Sequence, residues 1–274
     1  MASLHDLKNL ADDLPGRGTR MPAFFIGHGS PMNGIEDNAF SRSWADLGRT
    51  LPEPAAVLCI SAHWLTDGTH VTAMEQPRTI HDFYGFPQEL FNVRYPAPGS
   101  PALARETAAA ITRTKVGLDH EWGLDHGTWS VVKQMYPEAR IPVLQLSIDY
   151  AKPASYHYGL AEELGVLRNK GVLIIGSGNM VHNLRMLNWR QPESGYDWAE
   201  EMNAKFKTMI EARQDDKLLD YHQLGPSAKL AIPTPDHYFP LMYALGLRGP
   251  SESVAFFNDH LSMGSVSMTS VKIF

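Results

Sequence analysis

Short runs of consecutive apolar residues alternate with longer segments whose apolar positions recur every three or four residues. The first pattern predicts buried strands and the second amphipathic helices. Strands are expected near 22–27, 56–62, 70–74, 143–148, 172–175 and 266–273. Helices are expected near 38–50, 101–113, 128–136, 153–170, 198–213 and 240–245. Phe40, Trp44 and Leu47 share one helical face. Ser100 and Pro101 suit the cap and first turn of a helix, and Gly171 suits a helix stop. Strand–helix alternation with near-continuous apolar strands predicts an α/β fold with helices on both sheet faces. The central sheet should be mostly parallel, because Val172 to Ile175 is apolar throughout. Residues 1–20 read as a leader: Leu4, Leu7 and Leu10 form a stripe that Pro15-Gly16-Arg17-Gly18 ends. No composition shift divides the rest, so 21–274 is expected to be one catalytic domain. The segments 79–99, 119–128 and 226–239 read as long loops, which in compact domains are usually functional.

Composition narrows the function. The chain has 274 residues, 43% hydrophobic and 20% charged, which fits a globule with a real core. The net charge of −6 and the lack of any Lys/Arg cluster argue against nucleic acid as a partner. Cys59 is the only cysteine, so no intrachain disulfide and no thiolate zinc site can form. Its place inside an apolar run makes it a small buried hydrophobe. No run approaches the roughly 20 apolar residues of a membrane span, and no signal peptide is visible. A cytoplasmic location is expected, with the oligomeric state open between monomer and small homo-oligomer.

The chemistry lies in the histidines. Phe24-Phe25-Ile26-Gly27 runs into His28. Val57 to Ala62 runs into His63. Val172 to Ile175 leads through Gly176-Ser177-Gly178-Asn179 to His182. Strands of an open α/β sheet present their carboxyl ends to one crevice. Neutral imidazole is the commonest protein metal ligand. Three imidazoles distant in sequence therefore point to one metal centre. Gly27 and Gly29 let the chain turn sharply around His28. Gly176-Ser177-Gly178 does not make a dinucleotide fingerprint, since Val181 stands where the third glycine belongs. His182, free of a strand, suits either a ligand or a general base. His126, in Asp125-His126-Gly127, and His237, in Asp236-His237-Tyr238, sit in loops near helix starts. The adjacent Asp125 and Asp236 need not face the same way as their histidines. His81 sits among Phe83, Tyr84 and Phe86, which could wall a pocket.

The ordered segments Pro22 to Met32, Ser61-Ala62-His63-Trp64, Thr79 to Phe83, Tyr95 to Gly99, Asp125 to Trp129, Ser177 to Asn183 and Thr234 to Tyr238 resemble the LigB-type extradiol ring-cleavage dioxygenases. Within that family they are most similar to the 4,5-DOPA dioxygenase extradiol-like subgroup. The resemblance runs from about residue 20 to the C-terminus. It implies a mononuclear metal held by His28, His63 and His237, with His182 beside it as ligand or base. His126 would be a second acid/base residue. Relatives that cleave protocatechuate use two His and one Glu, whereas this chain offers His237 at the third position. Asp236 and Glu121 are the carboxylates left as possible contributors.

The activity so implied is opening of a catechol ring with O2 to a semialdehyde. It needs a metal with one face free, the logic of non-haem Fe(II) oxygenases. Fe(II) is expected for activity. Zn(II), which binds nitrogen sites more tightly, is expected in purified protein and would be inactive. The aromatic residues Phe83, Tyr84, Phe86, Trp64 and Trp129 are candidates for the substrate wall. Two rival readings use the same histidines: a zinc-dependent hydrolase, and a non-enzymatic Memo-like metal-binding protein.

Overall fold

The computed structural model describes residues 20–274, so the expected leader lies, but for Arg20, outside the described residues. The strands are β1 (Ala23–Gly27), β2 (Ala56–Thr66), β3 (Thr69–Thr72), β4 (Val116–Asp119), β5 (Val143–Asp149), β6 (Val172–Gly178), β7 (Val254–Phe257), β8 (Leu261–Ser262), β9 (Val266–Ser267) and β10 (Ser270–Ile273). The α-helices are α1 (Ala39–Thr50), α2 (Gln88–Phe91), α3 (Pro101–Ala110), α4 (His126–Met135), α5 (Ala154–Arg168), α6 (Asp197–Glu211), α7 (Asp215–Leu219), α8 (Pro226–Ala231) and α9 (Phe239–Gly246).

Eight strands form one sheet in the order β4-β3-β5-β2-β6-β1-β10-β7. The centre, β5-β2-β6-β1, is parallel, and β10, β7 and β3 join antiparallel. The expected α/β class with a mostly parallel sheet is what forms. Every residue of β1, β5 and β6 is buried, because helices cover both faces. One core joins Phe25, Leu58, Leu146 and Ile174 to α5, α6 and α9. The other joins Phe24, Val57, Leu173 and Ile175 to Trp44 of α1 and Trp129 and Val132 of α4. Alternate residues of one strand thus feed opposite cores, the period-2 consequence of the pleat.

Local chemistry explains the edges of several elements. Asn38 and Ser41 form a reciprocal capping box that starts α1. Ser100 caps α3 with Pro101 in its first turn. The single closing strand expected at 266–273 is instead two, β9 and β10. At their junction the hydroxyls of Ser267, which ends β9, and of Thr269 both reach Asn203 of α6. Strands β4 and β7, four residues each, are too short to give a periodic signal. The 226–239 segment is not all loop, since α8 occupies part of it.

Being parallel, β1, β2, β5 and β6 bring their carboxyl ends to one edge. There β2 bows out of register. Ile60 faces Leu146 and Leu65 faces Ile148, so five residues of β2 span two of β5. Such irregularities re-aim side chains next to functional sites. His63 lies in this bow. It is therefore within a strand that continues to Thr66, not at a strand end as expected.

Away from that edge, His157 of α5 is fully buried, its Nδ1 3.1 Å from the Tyr243 hydroxyl and its ring 4.4 Å from that of Phe239. Burial pushes its pKa down from 6.5 to about 4. The folded protein prefers the neutral ring and the unfolded chain binds the extra proton. Stability from this residue is therefore intact at neutral pH and lost as pH falls from 6.5 towards 4. Between pH 7 and pH 5 it should cost about 2 kcal/mol. Denaturant melts of the metal-free protein should show this loss, and His157→Asn should lack that share of it.

Candidate metal centre

Five imidazoles meet at the carboxyl edge. His28 follows β1, and its carbonyl accepts from the Asn33 amide. Gly29 then takes φ +60°, a conformation that glycine adopts without steric cost. His63 reaches in from the bow of β2, His126 opens α4, and His237 precedes α9. His182 lies beyond the end of β6. The ring centroids of His28, His63 and His237 are 4.9–5.3 Å apart. His126 lies 3.9 Å from His63, and His182 stacks flat on His237 at 3.5 Å. The residues expected at the site are all in one place.

What surrounds each ring fixes where its proton sits. His28 Nδ1 is 3.0 Å from the Ser177 hydroxyl, whose own hydrogen goes to the Gly127 carbonyl at 2.5 Å. Ser177 is then the acceptor, so His28 carries its proton on Nδ1. His237 Nδ1 bonds the Asp236 carboxylate at 2.7 Å. His63 Nδ1 faces Asp82 Oδ2 at 3.2 Å, off the line of a straight hydrogen bond but against an acceptor-only carboxylate. Each of the three rings therefore leaves Nε2 as a bare lone pair. Outer partners that orient ligating histidines in this way are a general feature of metal sites.

The Nε2 atoms of His28 and His63 are 3.1 Å apart. With both protons on Nδ1 the two lone pairs face each other and repel; the same spacing would suit an N–H···N bond only if one ring changed tautomer. Burial first, and then the neighbouring histidines, hold both rings well below their usual pKa. A cation about 2.1 Å from each nitrogen would see them roughly at a right angle. The donor set thus fits a divalent metal of nitrogen preference. Among the described residues two groups of side chains have ligand spacing: His28, His63 and His126, and His182, Asp236 and His237.

The supporting frame is dense. Asp125 is fully buried and accepts from the Ser61 hydroxyl, the Gln145 amide and the Thr128 backbone. It ties β2 and β5 to the start of α4 and so sets His126. Burial, and then Asp82, raises its pKa. Asp236 faces its histidine and Asp125 faces away from its own. For the Asp236 carboxyl, burial pulls the pKa up, but the bond to His237 outweighs it and holds the group below the ordinary range.

Other expectations resolve differently. Phe83 is the member of the aromatic wall that reaches the cluster, 5.6 Å from His126. Trp129 is fully buried core with its indole N–H on the Ile80 carbonyl, and Trp64 stacks on Trp122. His81 turns to the Val93 carbonyl, and Glu121 is exposed. An open groove of about 640 Å3 beside Arg78, Arg94 and Pro96 contains none of the five histidines. Asp82 and Ser177 are partners that the sequence reading did not single out. An ionisable residue inside the aromatic 81–86 loop was the available signal for Asp82.

The family of catalytic LigB subunits of aromatic ring-opening dioxygenases matches residues 22–272. The chain belongs to the LigB family. As a LigB protein it is a ring-cleaving dioxygenase, an oxidoreductase whose chemistry is metal-dependent. It is similar to a 4,5-DOPA dioxygenase extradiol of Escherichia coli K12, 48% identical over 96% of this chain and 98% of that one. A protein of the same name from Beta vulgaris is 37% identical over 91% of this chain and 95% of its own length. A crystal structure of an uncharacterised Escherichia coli K12 protein superposes with a TM-score of 0.82 at 44% identity, covering 93% of this chain and all of that one. Among the described residues no helix is long and apolar enough to cross a membrane.

Gly127 offers a direct check of the packing. A Cβ there would lie 2.5 Å from the Ser61 hydroxyl and 2.9 Å from the His63 ring. In a helix Ala is otherwise favoured over Gly by about 1 kcal/mol. Gly127→Ala should nonetheless weaken metal retention at least tenfold in a chelator competition. Wild-type retention would mean that His63 is not held against this helix.

Proposed function

We propose that the protein is a ferrous extradiol dioxygenase that opens a catechol carrying a side chain, such as DOPA, to a semialdehyde. The observation that carries this reading is the approach of the His28 and His63 Nε2 atoms to 3.1 Å, with the His237 ring beside them, in a LigB-family chain. His28, His63 and His237 hold the ion. Bound ferrous iron supplies the redox centre at which the catechol oxygens and dioxygen meet. Zinc in the same nitrogen set lacks redox chemistry and gives an inactive protein.

The chain's own residues do the rest. His182 is half-buried, and burial and then His237 push its pKa well down, against the pull of Asp236. It is therefore neutral at physiological pH and has a lone pair to take the proton of a catechol hydroxyl, although the lowered pKa makes it a weaker base than a free imidazole. His126, carried by the first turn of α4, is the second acid/base group. Phe83 packs beside His126 and offers an apolar face to the aromatic ring. Substrate and O2 are small molecules, and nothing in the reading requires nucleic acid or a membrane. The rival hydrolase and the non-enzymatic reading share the ion but not the oxygen chemistry.

Because His126 also has ligand spacing with His28 and His63, the ligand set needs a direct comparison. The Ala variants of His28, His63 and His237 should each lose metal at least a hundredfold in affinity, while His126→Ala retains it. The opposite pattern at 237 and 126 would replace the third ligand. After anaerobic iron loading, wild type should consume O2 with a catechol panel read by ultraviolet–visible absorption. His182→Phe should slow that turnover about 10²- to 10⁴-fold with the fold intact. Oxygen-independent hydrolysis, or no turnover with loaded iron, would defeat the dioxygenase reading.

A further inference from the structure

Asp82 lies in the irregular segment between β3 and α2, on no regular element, yet three donors converge on it. Its Oδ1 accepts the His126 backbone N–H at 2.9 Å. Its Oδ2 lies 3.2 Å from His63 Nδ1 and 3.0 Å from His126 Nδ1. A carboxylate oxygen can accept from two rings, but here neither N–H points straight at it. The attraction is electrostatic, between an acceptor-only carboxylate and two N–H dipoles. The carboxylate side chain is only 17% exposed, so water screens that attraction little. His63 comes from β2 and His126 from the first turn of α4, and their rings are 3.9 Å apart. They share this one anchor.

We propose that Asp82 is a positioning residue that sets the tautomer and aim of two histidines at once, tying metal retention by His63 to the orientation of His126. The inference rests on the metal reading above. Its logic is a count of donors and acceptors. An ionised Asp presents acceptors on both oxygens, so both imidazoles keep their protons on Nδ1 and turn bare Nε2 atoms inward. Asn is nearly the same shape but has one acceptor and one NH2 donor. If its NH2 faces the imidazoles, their Nδ1 atoms must become acceptors. The protons then move to Nε2 and occupy the lone pair of His63 that the ion needs. If its carbonyl faces the imidazoles, the NH2 meets the His126 backbone N–H, donor against donor. Asn cannot satisfy the three donors in either orientation. Ala is larger in its change of shape but introduces no wrong donor, and water can accept from both rings.

This ordering separates the clamp from a merely structural role, for which Ala should be the more damaging change. The test is Co(II) binding to the full chain, by chelator competition and by the visible absorption of the bound ion, with melting of each metal-free variant alongside. Wild type should take one equivalent. Asp82→Asn should bind about 10- to 100-fold more weakly, the usual loss for an outer partner, with an altered spectrum and little change in the metal-free melt. Asp82→Ala should fall between the two. Wild-type affinity and spectrum in both variants would overturn the clamp and leave the metal reading standing. A greater loss of affinity in Ala than in Asn would also overturn it, assigning Asp82 to packing. A wild-type protein that takes up no Co(II) would remove the metal reading and the clamp together.

Discussion

Two nitrogen lone pairs held 3.1 Å apart in a buried site are the constraint on which this structure turns. Left alone they repel, and the protein blocks the usual escapes. Protonation is opposed by burial and by the neighbouring rings. A change of tautomer is opposed at His28 by Ser177, which accepts from Nδ1, and at His63 by the Asp82 carboxylate, which faces Nδ1 electrostatically. Divalent metal binding converts this repulsion into attraction. The acidic groups nearby serve mainly to orient the rings, which leaves the nitrogens to an ion under the proposed reading.

The fold supplies that constraint through few devices. Parallel strands put His28 and His182 at the same edge, which a sheet of alternating direction would not do. The bow in β2 brings His63 across. Ser177, in β6, links His28 to the Gly127 carbonyl at the start of α4, so one hydroxyl connects three elements of the site. Asp125 is buried, which raises its pKa, but the hydrogen bonds it accepts from Ser61, Gln145 and Thr128 offset that burial. The result is a site built on strand ends and a helix start, where positions are better defined than in free loops.

His28 was legible because a strand, a turn glycine and a histidine coincide within a few residues. The strands that carry the site were legible for the same reason: their apolar runs are unbroken. His63 was legible as a residue but not as a place, since sequence shows where an apolar run stops and not how one strand slips against another. Its position depends on register with β5, a non-local property. The roles of His126 and His237 came from likeness to a family, because a histidine in a loop has no local signature. Asp82 was not legible as a partner at all. It lies 19 residues from His63 and 44 from His126, and only the packed loop brings them together. The closing strand was misjudged because hydroxyls at 267 and 269 look like ordinary alternation in sequence, whereas Asn203 claims both.

The central claim concerns protons, so it is best tested by locating them. Long-range ¹H–¹⁵N NMR of the metal-free protein at neutral pH distinguishes Nδ1–H, Nε2–H and doubly protonated imidazole. The account predicts neutral rings with the proton on Nδ1 at His28, His63 and His237. An Nε2–H tautomer or an imidazolium at any of the three would contradict it.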